Sequence, residues 1–392
     1  MYFERKIYKD LIEHAKQKQV TIITGLRRTG KTTLVKKLLG EYFPDNSIYF
    51  DLERLDNRNL FNDTNYENII LALKQRGINF GIQAAIAIDE AQLLPNLPSV
   101  VKYLYDNYNI KFIITGSSSY YLKNLFSESL AGRKKIFELY PLDFGEFLTF
   151  KSVTWTPFNI KEKAFQQNDY ERLKGYYDEY LNFGGMPEVV LTGAIIQKTD
   201  ILEDLISSYI NIDIKWLSDF KNADSIRNLL IMLASRTANK LDYAKISALT
   251  GLSKPTVTNY IELFEKTYII QRIPVTSKNP DREIVKAKKL FFCDNGILSR
   301  LAKVSGGVLF ENAIYNQLHH FGTLNYYALK TGHEIDFILN NKAAFEVKET
   351  ATPSDWQQLV KLSRNMELSN YTIISNHPPR NVENVIWGGS IK

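Results

Sequence analysis

Gly25-Leu26-Arg27-Arg28-Thr29-Gly30-Lys31-Thr32-Thr33 is the stretch that decides how this chain is read. The apolar run Val20–Thr24 precedes it and Leu34-Val35-Lys36-Lys37-Leu38-Leu39 follows, so the predicted order is strand, glycine-bounded loop, helix. That order makes a phosphate cradle. Gly25 and Gly30 open backbone angles at which successive N–H groups turn toward an anion, and the helix N-terminus adds about half a positive charge. Lys31 supplies a point charge for the β- and γ-phosphates of ATP, and Thr32 a hydroxyl for Mg2+. The nucleotide-binding candidates are therefore Gly25, Leu26, Arg27, Arg28, Thr29, Gly30, Lys31, Thr32 and Thr33, with Lys31 also a catalytic candidate.

Outward from the loop, Ser47–Leu52 reads as a second strand and Ala84–Asp89 as a third, an unbroken apolar run ending in Asp89-Glu90. Continuous hydrophobicity fits a parallel strand buried on both faces, and the C-terminal ends of such strands are where open α/β sheets bind ligands. Asp89 suits Mg2+, directly or through water, and Glu90 suits the water that attacks the γ-phosphate. The strand Lys111–Thr115 ends in Gly116-Ser117-Ser118-Ser119. Here Thr115 or Ser117 reads as a γ-phosphate sensor, the alternative being a serine-rich turn and helix cap. Before a fifth strand at Ile136–Leu139, Arg133 reads as an arginine finger, in its own subunit or across a boundary, or else as part of a solvated Arg-Lys-Lys run.

These stretches, with Ala131-Gly132-Arg133 and Glu138-Leu139-Tyr140-Pro141-Leu142-Asp143-Phe144-Gly145-Glu146-Phe147, resemble one group of bacterial and archaeal AAA-type ATPases. In that group the ATPase is fused to a C-terminal half with a restriction-endonuclease-like region. The resemblance covers nearly the whole chain. It implies an α/β P-loop core whose parallel sheet has an additional strand between the phosphate-loop strand and the aspartate strand.

Past Phe150 the chain turns helical around Tyr170–Asn182, and Phe183-Gly184-Gly185-Met186-Pro187-Glu188 reads as a lid turn, since no lysine follows to make a second phosphate loop. Lys198–Leu233 reads as a helical lid over the nucleotide. Leu241–Leu249, the turn Thr250-Gly251-Leu252 and a helix capped by Ser253 make a helix-turn-helix, with Lys254, Thr256, Thr258, Asn259 and Tyr260 on the exposed face. A hairpin of Tyr268–Ile273 and Leu290–Cys293 makes the wing. Its Arg272, Lys278, Arg282, Lys286, Lys288 and Lys289 suit phosphate contacts, although winged helices also bind proteins.

Further on, Glu311 lies on a predicted helix, Glu334-Ile335-Asp336-Phe337-Ile338-Leu339 on a strand, and Glu346 and Lys348 on the strand after the Asn340-Asn341 turn. Asp336 and Glu346 make a hard oxygen site for Mg2+ or Mn2+, and Lys348 can position the attacking water. With Glu311, and Gln357 or Gln358 on the following helix, this spacing is similar to that of restriction-endonuclease-like nucleases. The alternative is an intact fold carrying an idle site.

The chain of 392 residues is long enough for several cores, and its composition, 44% hydrophobic and 23% charged, excludes disordered and fibrous classes. Lys plus Arg exceed Asp plus Glu by 49 − 43 = 6, a mild excess compatible with nucleic acid. The single cysteine, Cys293, excludes an internal disulfide and fits a reducing cytoplasm; no apolar run approaches the roughly 20 residues of a membrane span. The expected architecture is an AAA-type core at 1–150, a helical lid at 151–238, a winged helix at 239–303 and a restriction-endonuclease-like domain at 304–392. The expected function is a cytoplasmic, Mg2+-dependent ATPase, a homo-oligomer in one reading, that couples its nucleotide to DNA binding and metal-dependent cleavage. The rival is a regulatory NTPase whose C-terminal half is a catalytically idle module for a partner or DNA.

Overall fold

Five short strands build the first sheet, the inner ones apolar and the edge ones mixed: β1 (Val20–Thr24), β2 (Ser47–Asp51), β3 (Ala84–Asp89), β4 (Ile110–Gly116) and β5 (Lys134–Glu138). The computed structural model describes residues 2–117, 126, 130, 132–157, 164–214, 223–276 and 286–391. In it the strands lie in the order β2-β3-β4-β1-β5, all parallel. β4 separates β1 from β3, which is the additional strand expected. β1, β3 and β4 are buried along their whole length because helices cover both faces. On one face Leu34, Val35 and Leu38 of α2 (Lys31–Tyr42) pack with Ile23, Ala85 and Ile113, next to Leu11 of α1 (Tyr8–Ala15). On the other, α3 (Leu55–Phe61), α4 (Tyr66–Gln75) and α5 (Leu97–Asn107) meet Ile22, Ile86, Ile88 and Ile114. Each fully buried aliphatic chain contributes roughly 1.5–3 kcal/mol.

One polar residue in this core closes α1. Lys111, fully buried on β4, donates from Nζ to the carbonyls of His14, Gln17 and Gln19 at 2.8, 2.8 and 2.6 Å, where the helix end leaves acceptors unpaired. Burial pulls the Lys111 pKa down to about 7; burial first, then the Lys111 charge, pulls that of His14 down to about 4.

The chain divides into two compact units, residues 1–140 with 266–268, and 141–265 with 269–392. The second holds α6 (Phe144–Phe150), α7 (Gln167–Phe183), α8 (Pro187–Leu191), α9 (Ile195–Ser208) and α10 (Ala223–Ala234). Then come α11 (Tyr243–Thr250), α12 (Lys254–Lys266) and an antiparallel pair, β6 (Ile270–Ile273) and β7 (Lys289–Phe292). After α13 (Asn295–Leu301) and α14 (Gly306–Leu318) a second sheet forms from β8 (Leu324–Ala328), β9 (Glu334–Leu339), β10 (Ala343–Lys348), β11 (Asn370–Ser375) and β12 (Val385–Trp387), with α15 (Pro353–Asn365) between β10 and β11. Its order is β12-β11-β10-β9-β8; β8, β9 and β10 run antiparallel, and β11 and β12 continue parallel to β10. Asn340 and Asn341, both at positive φ, make the tight β9–β10 turn.

A single core runs through this unit. Leu173, Tyr177 and Leu181 of α7 pack with Phe310 and Ile314 of α14, Phe345 of β10 and Trp387 of β12. The helix expected in a separate lid thus shares its core with the C-terminal sheet. The Gly184-Gly185 turn has a packing cause too. Its Gly185 N–H donates to Asp294 Oδ2 at 2.6 Å, and a Cβ on Gly185 would run into the Leu142 carbonyl. Asp294 Oδ1 also accepts from Ile297 N–H at 3.0 Å, capping α13; burial raises its pKa to about 6 against these bonds.

Where α11 gives way to α12, Asp242 caps α11, Gly251 turns the chain at φ 70° and the Ser253 hydroxyl accepts from Thr256 N–H at 3.2 Å. Lys254 and Asn259 are exposed, and Thr256 and Thr258 half-buried. Tyr260 corrects the sequence reading: it is buried, its ring stacked on Phe264 one turn along. The cation row changes as well. Arg272 is held by Glu265 and by the Tyr243 hydroxyl, and Lys289 is 1% exposed; Lys286 is exposed and Lys288 half-buried. Lys278 and Arg282 lie outside the described residues. Cys293, directly after β7, is buried, which pushes its thiol well above the usual range.

Candidate functional site

The loop after β1 is pinned from three sides. A Cβ on Gly25 would run into the carbonyl of Leu139, whose N–H donates to Thr24 O at 2.7 Å, so glycine is required by close approach. Gly30 stands at φ 99° just before α2, and Arg28 takes a positive φ of 64°. Arg5 donates to Thr29 O at 2.8 Å and Tyr140 O at 2.7 Å. Leu26 and Thr29 are buried, with the Thr29 hydroxyl donating to Leu26 O at 2.8 Å; Arg27 pairs with Glu53 at 2.5 Å, and Thr33 is exposed. Lys31 folds back over the loop, its Nζ donating to Gly25 O at 2.9 Å and Leu26 O at 3.0 Å.

Adjacent strand ends bring Asp89 to this loop. Its Oδ2 accepts from the Thr32 hydroxyl at 2.6 Å and from the Tyr49 hydroxyl at 2.7 Å. Its Oδ1 accepts from the Thr115 hydroxyl and from Glu90 N–H at 3.1 Å. Glu90, at φ 54°, accepts from the Gln92 amide, which also donates to Ser117 Oγ at 3.1 Å. Burial raises the Glu90 pKa, opposed by the Lys31 charge and the Gln92 bond. A threonine hydroxyl against a carboxylate, beside a lysine and a helix N-terminus, is a donor set that fits Mg2+ with a nucleotide triphosphate. The structure brings Thr32, Asp89, Glu90, Thr115 and Ser117 together. Tyr49, Gln92 and Arg5 were not foreseen.

Arg133 is not at this site in its own chain. Its carbonyl accepts from Val20 N–H at 2.8 Å, so it stands where β1 begins, whereas the loop follows the end of β1. Its guanidinium pairs with Asp106 at 3.0 Å.

The C-terminal carboxylates also converge, but around a lysine. Lys289 Nζ lies 3.3 Å from Glu311 Oε1, 2.8 Å from Glu334 Oε1 and 3.2 Å from Asp336 Oδ1. Glu334 Oε2 accepts from Lys240 at 3.0 Å. Asp336 Oδ2 accepts from Val347 N–H at 2.9 Å, and Lys348 pairs with Glu346 Oε1 at 2.7 Å. Glu346 Oε2 is buried with no hydrogen-bond partner. Burial first, and Asp336 next, raise the carboxyl pKa values of Glu311 and Glu346. Gln357 is exposed and Gln358 half-buried on α15. Among the described residues no three His, Cys, Asp or Glu side chains form a group able to hold a metal ion. As arranged, the expected ligands Glu311, Asp336 and Glu346 therefore do not fit a divalent metal, because the Lys289 ammonium stands against Glu311 and Asp336 and Lys348 is paired with Glu346.

Comparison with known proteins gives matches in three stretches of the chain. Residues 174–307 match a domain of unknown function, DUF8612, and residues 306–383 another, DUF4143. Protein MJ1544 of Methanocaldococcus jannaschii is 29% identical over 375 residues, 91% of this chain and 81% of its own length. A Haemophilus influenzae protein is 25% identical over 375 residues, 88% of each chain. Among solved structures, Aeropyrum pernix ORC1 in complex with DNA has TM-score 0.36 at 12% identity, over 77% of this chain and 92% of that one. The Thermotoga maritima RuvB Holliday junction branch migration motor has TM-score 0.34 at 15% identity, over 69% and 90%. No helix among the described residues is long and apolar enough to cross a membrane. Residues 17–148 match the model of an AAA domain, and both the Gly25–Thr33 loop and the Asp89–Glu90 pair fall inside that match.

Proposed function

We propose that this chain is a Mg2+-dependent ATPase whose C-terminal half binds, without cutting, a partner of nucleic-acid type. The 2.6 Å contact between the Thr32 hydroxyl and the Asp89 carboxylate, at the mouth of a glycine-bounded loop, carries the first half. With nucleotide bound, Lys31 exchanges the carbonyls of Gly25 and Leu26 for the β- and γ-phosphates. Bound Mg2+ neutralises phosphate charge, with Thr32 and Asp89 to hold it. Glu90 orients the attacking water and Gln92 holds Glu90 in place; Thr115 acts through Asp89, and Ser117 through Gln92. Arg133 acts on the ATP of a neighbouring copy, since in its own chain it pairs with Asp106 at the start of β1. Phosphate release from ATP and Mg2+ tests the reading. Wild type is expected to turn over and Lys31→Ala to lose nearly all of it; equal rates in the two would overturn it.

The order α11, glycine turn, α12 and β6–β7 hairpin supports a winged helix, with Lys254, Asn259, Lys286 and Lys288 as its outward DNA contacts. The helix, hairpin and helix around Asp336 and Glu346 support a nuclease-like ancestry for the final sheet. Lys289 among the carboxylates favours the binding module over the cutting one. Plasmid, linear and single-stranded DNA with Mg2+ or Mn2+, with and without ATP, are expected to be shifted on gels but left intact. Cleavage by wild type that Asp336→Ala abolishes would restore the nuclease reading.

A further inference from the structure

We infer that the Lys289 ammonium takes the place of a divalent cation at Glu311, Glu334 and Asp336, and so fastens the β6–β7 hairpin to the C-terminal sheet. An ammonium carries three N–H donors and no acceptor, and here it meets three carboxylates on two elements, at 3.3, 2.8 and 3.2 Å. Only 1% of Lys289 is exposed.

Its backbone is as constrained as its head group. Lys289 pairs with Ile273 across the hairpin and with Lys240 on the other side, where Leu241 N–H donates to Lys288 O at 3.0 Å. A side chain rooted in a strand paired on both sides cannot swing out without taking the strand with it. A divalent ion entering the cluster would face a like charge about 3 Å from each ligand and would leave that ammonium buried without partners.

The oxygens tell the same story. Of the four on Asp336 and Glu346, Lys289 takes one, Val347 N–H another and Lys348 a third. Only Glu346 Oε2, buried and unpartnered, is left over, and one oxygen does not make a Mg2+ or Mn2+ shell. The cluster is a cation site filled by the chain itself.

Mn2+ binding to the full chain without nucleotide, followed by electron paramagnetic resonance and by melting, tests this independently of ATP hydrolysis, which is assayed on the same preparations. Wild type is expected to show no Mn2+ site that Asp336→Asn removes. Lys289→Met is expected to melt below wild type without metal, to take up one Mn2+ per chain, and to melt higher with it. Wild-type binding lost in Asp336→Asn would overturn the inference, as would a Lys289→Met chain as stable as wild type and blind to Mn2+. Should Lys289→Met not fold, Lys289→Met with Glu334→Gln, which removes one charge of each sign, takes its place. That pair is expected to bind Mn2+ through Glu311 and Asp336, and failure to bind would count against the inference.

Discussion

Asp89 and Asp336 are both buried strand aspartates, 3% and 7% exposed, yet their partners differ in kind. Each accepts one backbone N–H, but Asp89 is otherwise met by the hydroxyls of Thr32, Tyr49 and Thr115, whereas Asp336 is met by the ammonium of Lys289. Hydroxyls are neutral and rotate, and the proposed reading gives one of them, that of Thr32, to Mg2+, so on that reading a cation enters beside Asp89 without displacing a charge. An ammonium must first be expelled. On the readings proposed above, the same carboxylate therefore means an open cation site in one unit and a closed one in the other, and the difference lies in residues remote in sequence.

The contrast breaks most sharply if Glu90 is spectator rather than participant. Glu90→Gln is expected to lower the ATP turnover rate by roughly 10²–10⁴-fold while nucleotide still binds. An unchanged rate, read by phosphate release, would leave Asp89 without a reaction to serve. Next, Gly25→Ala should remove nucleotide binding and cost the first unit about 3 kcal/mol, because its Cβ meets the Leu139 carbonyl; hydrogen exchange would locate the loss there and leave the second unit protected. Asp294→Asn sharpens the other side. It turns an amide N–H toward Gly185 N–H and should cost the second unit about 1–3 kcal/mol in urea melts, with Lys31-dependent ATP binding unaltered. Smallest, Tyr49→Phe frees one lone pair of Asp89 and should change the Mg2+ requirement for turnover only about threefold.

Acid should separate the units as well. The His14 pKa is lowered to about 4, so its contribution to the first unit is full above the ordinary 6.5 and is lost as pH falls toward 4. The Asp294 pKa is raised to about 6, so its contribution to the second unit is full below the ordinary 3.8 and is lost as pH rises toward 6. Between pH 6.5 and 4 these groups weaken the first unit and strengthen the second. Hydrogen exchange at the two pH values would show it, and greater acid loss in the second unit would contradict it.

Much of the first site was legible because its signals are local: a loop between strand and helix, and an apolar strand ending in Asp89-Glu90. Tyr49, Gln92 and Arg5 were not, since each is a single polar residue carried in by the fold. Lys289 stood in a basic run with Lys286 and Lys288 and read as surface. The continuous apolar stretch that follows, Leu290–Cys293, was the available clue, for a strand buried on both faces buries the residue before it too. The core that α7 shares with the C-terminal sheet was hidden for a similar reason. β11 and β12 were not recognised as strands, so the core that Trp387 closes against Tyr177 of α7 could not be assembled from the sequence.

Cys293 has a practical consequence. It is the chain's single cysteine, its sulfur is shut away from solvent, and its thiolate is disfavoured, so maleimide dyes will pass it by in the native protein. Any cysteine added at the surface becomes a unique handle with no need to strip the background. Ile82→Cys on the first unit and Ile196→Cys on the second, replacing side chains 55% and 76% exposed, would carry a donor and an acceptor fluorophore. Energy transfer between them would then report, one molecule at a time, whether the distance between the two dyes changes on adding ATP.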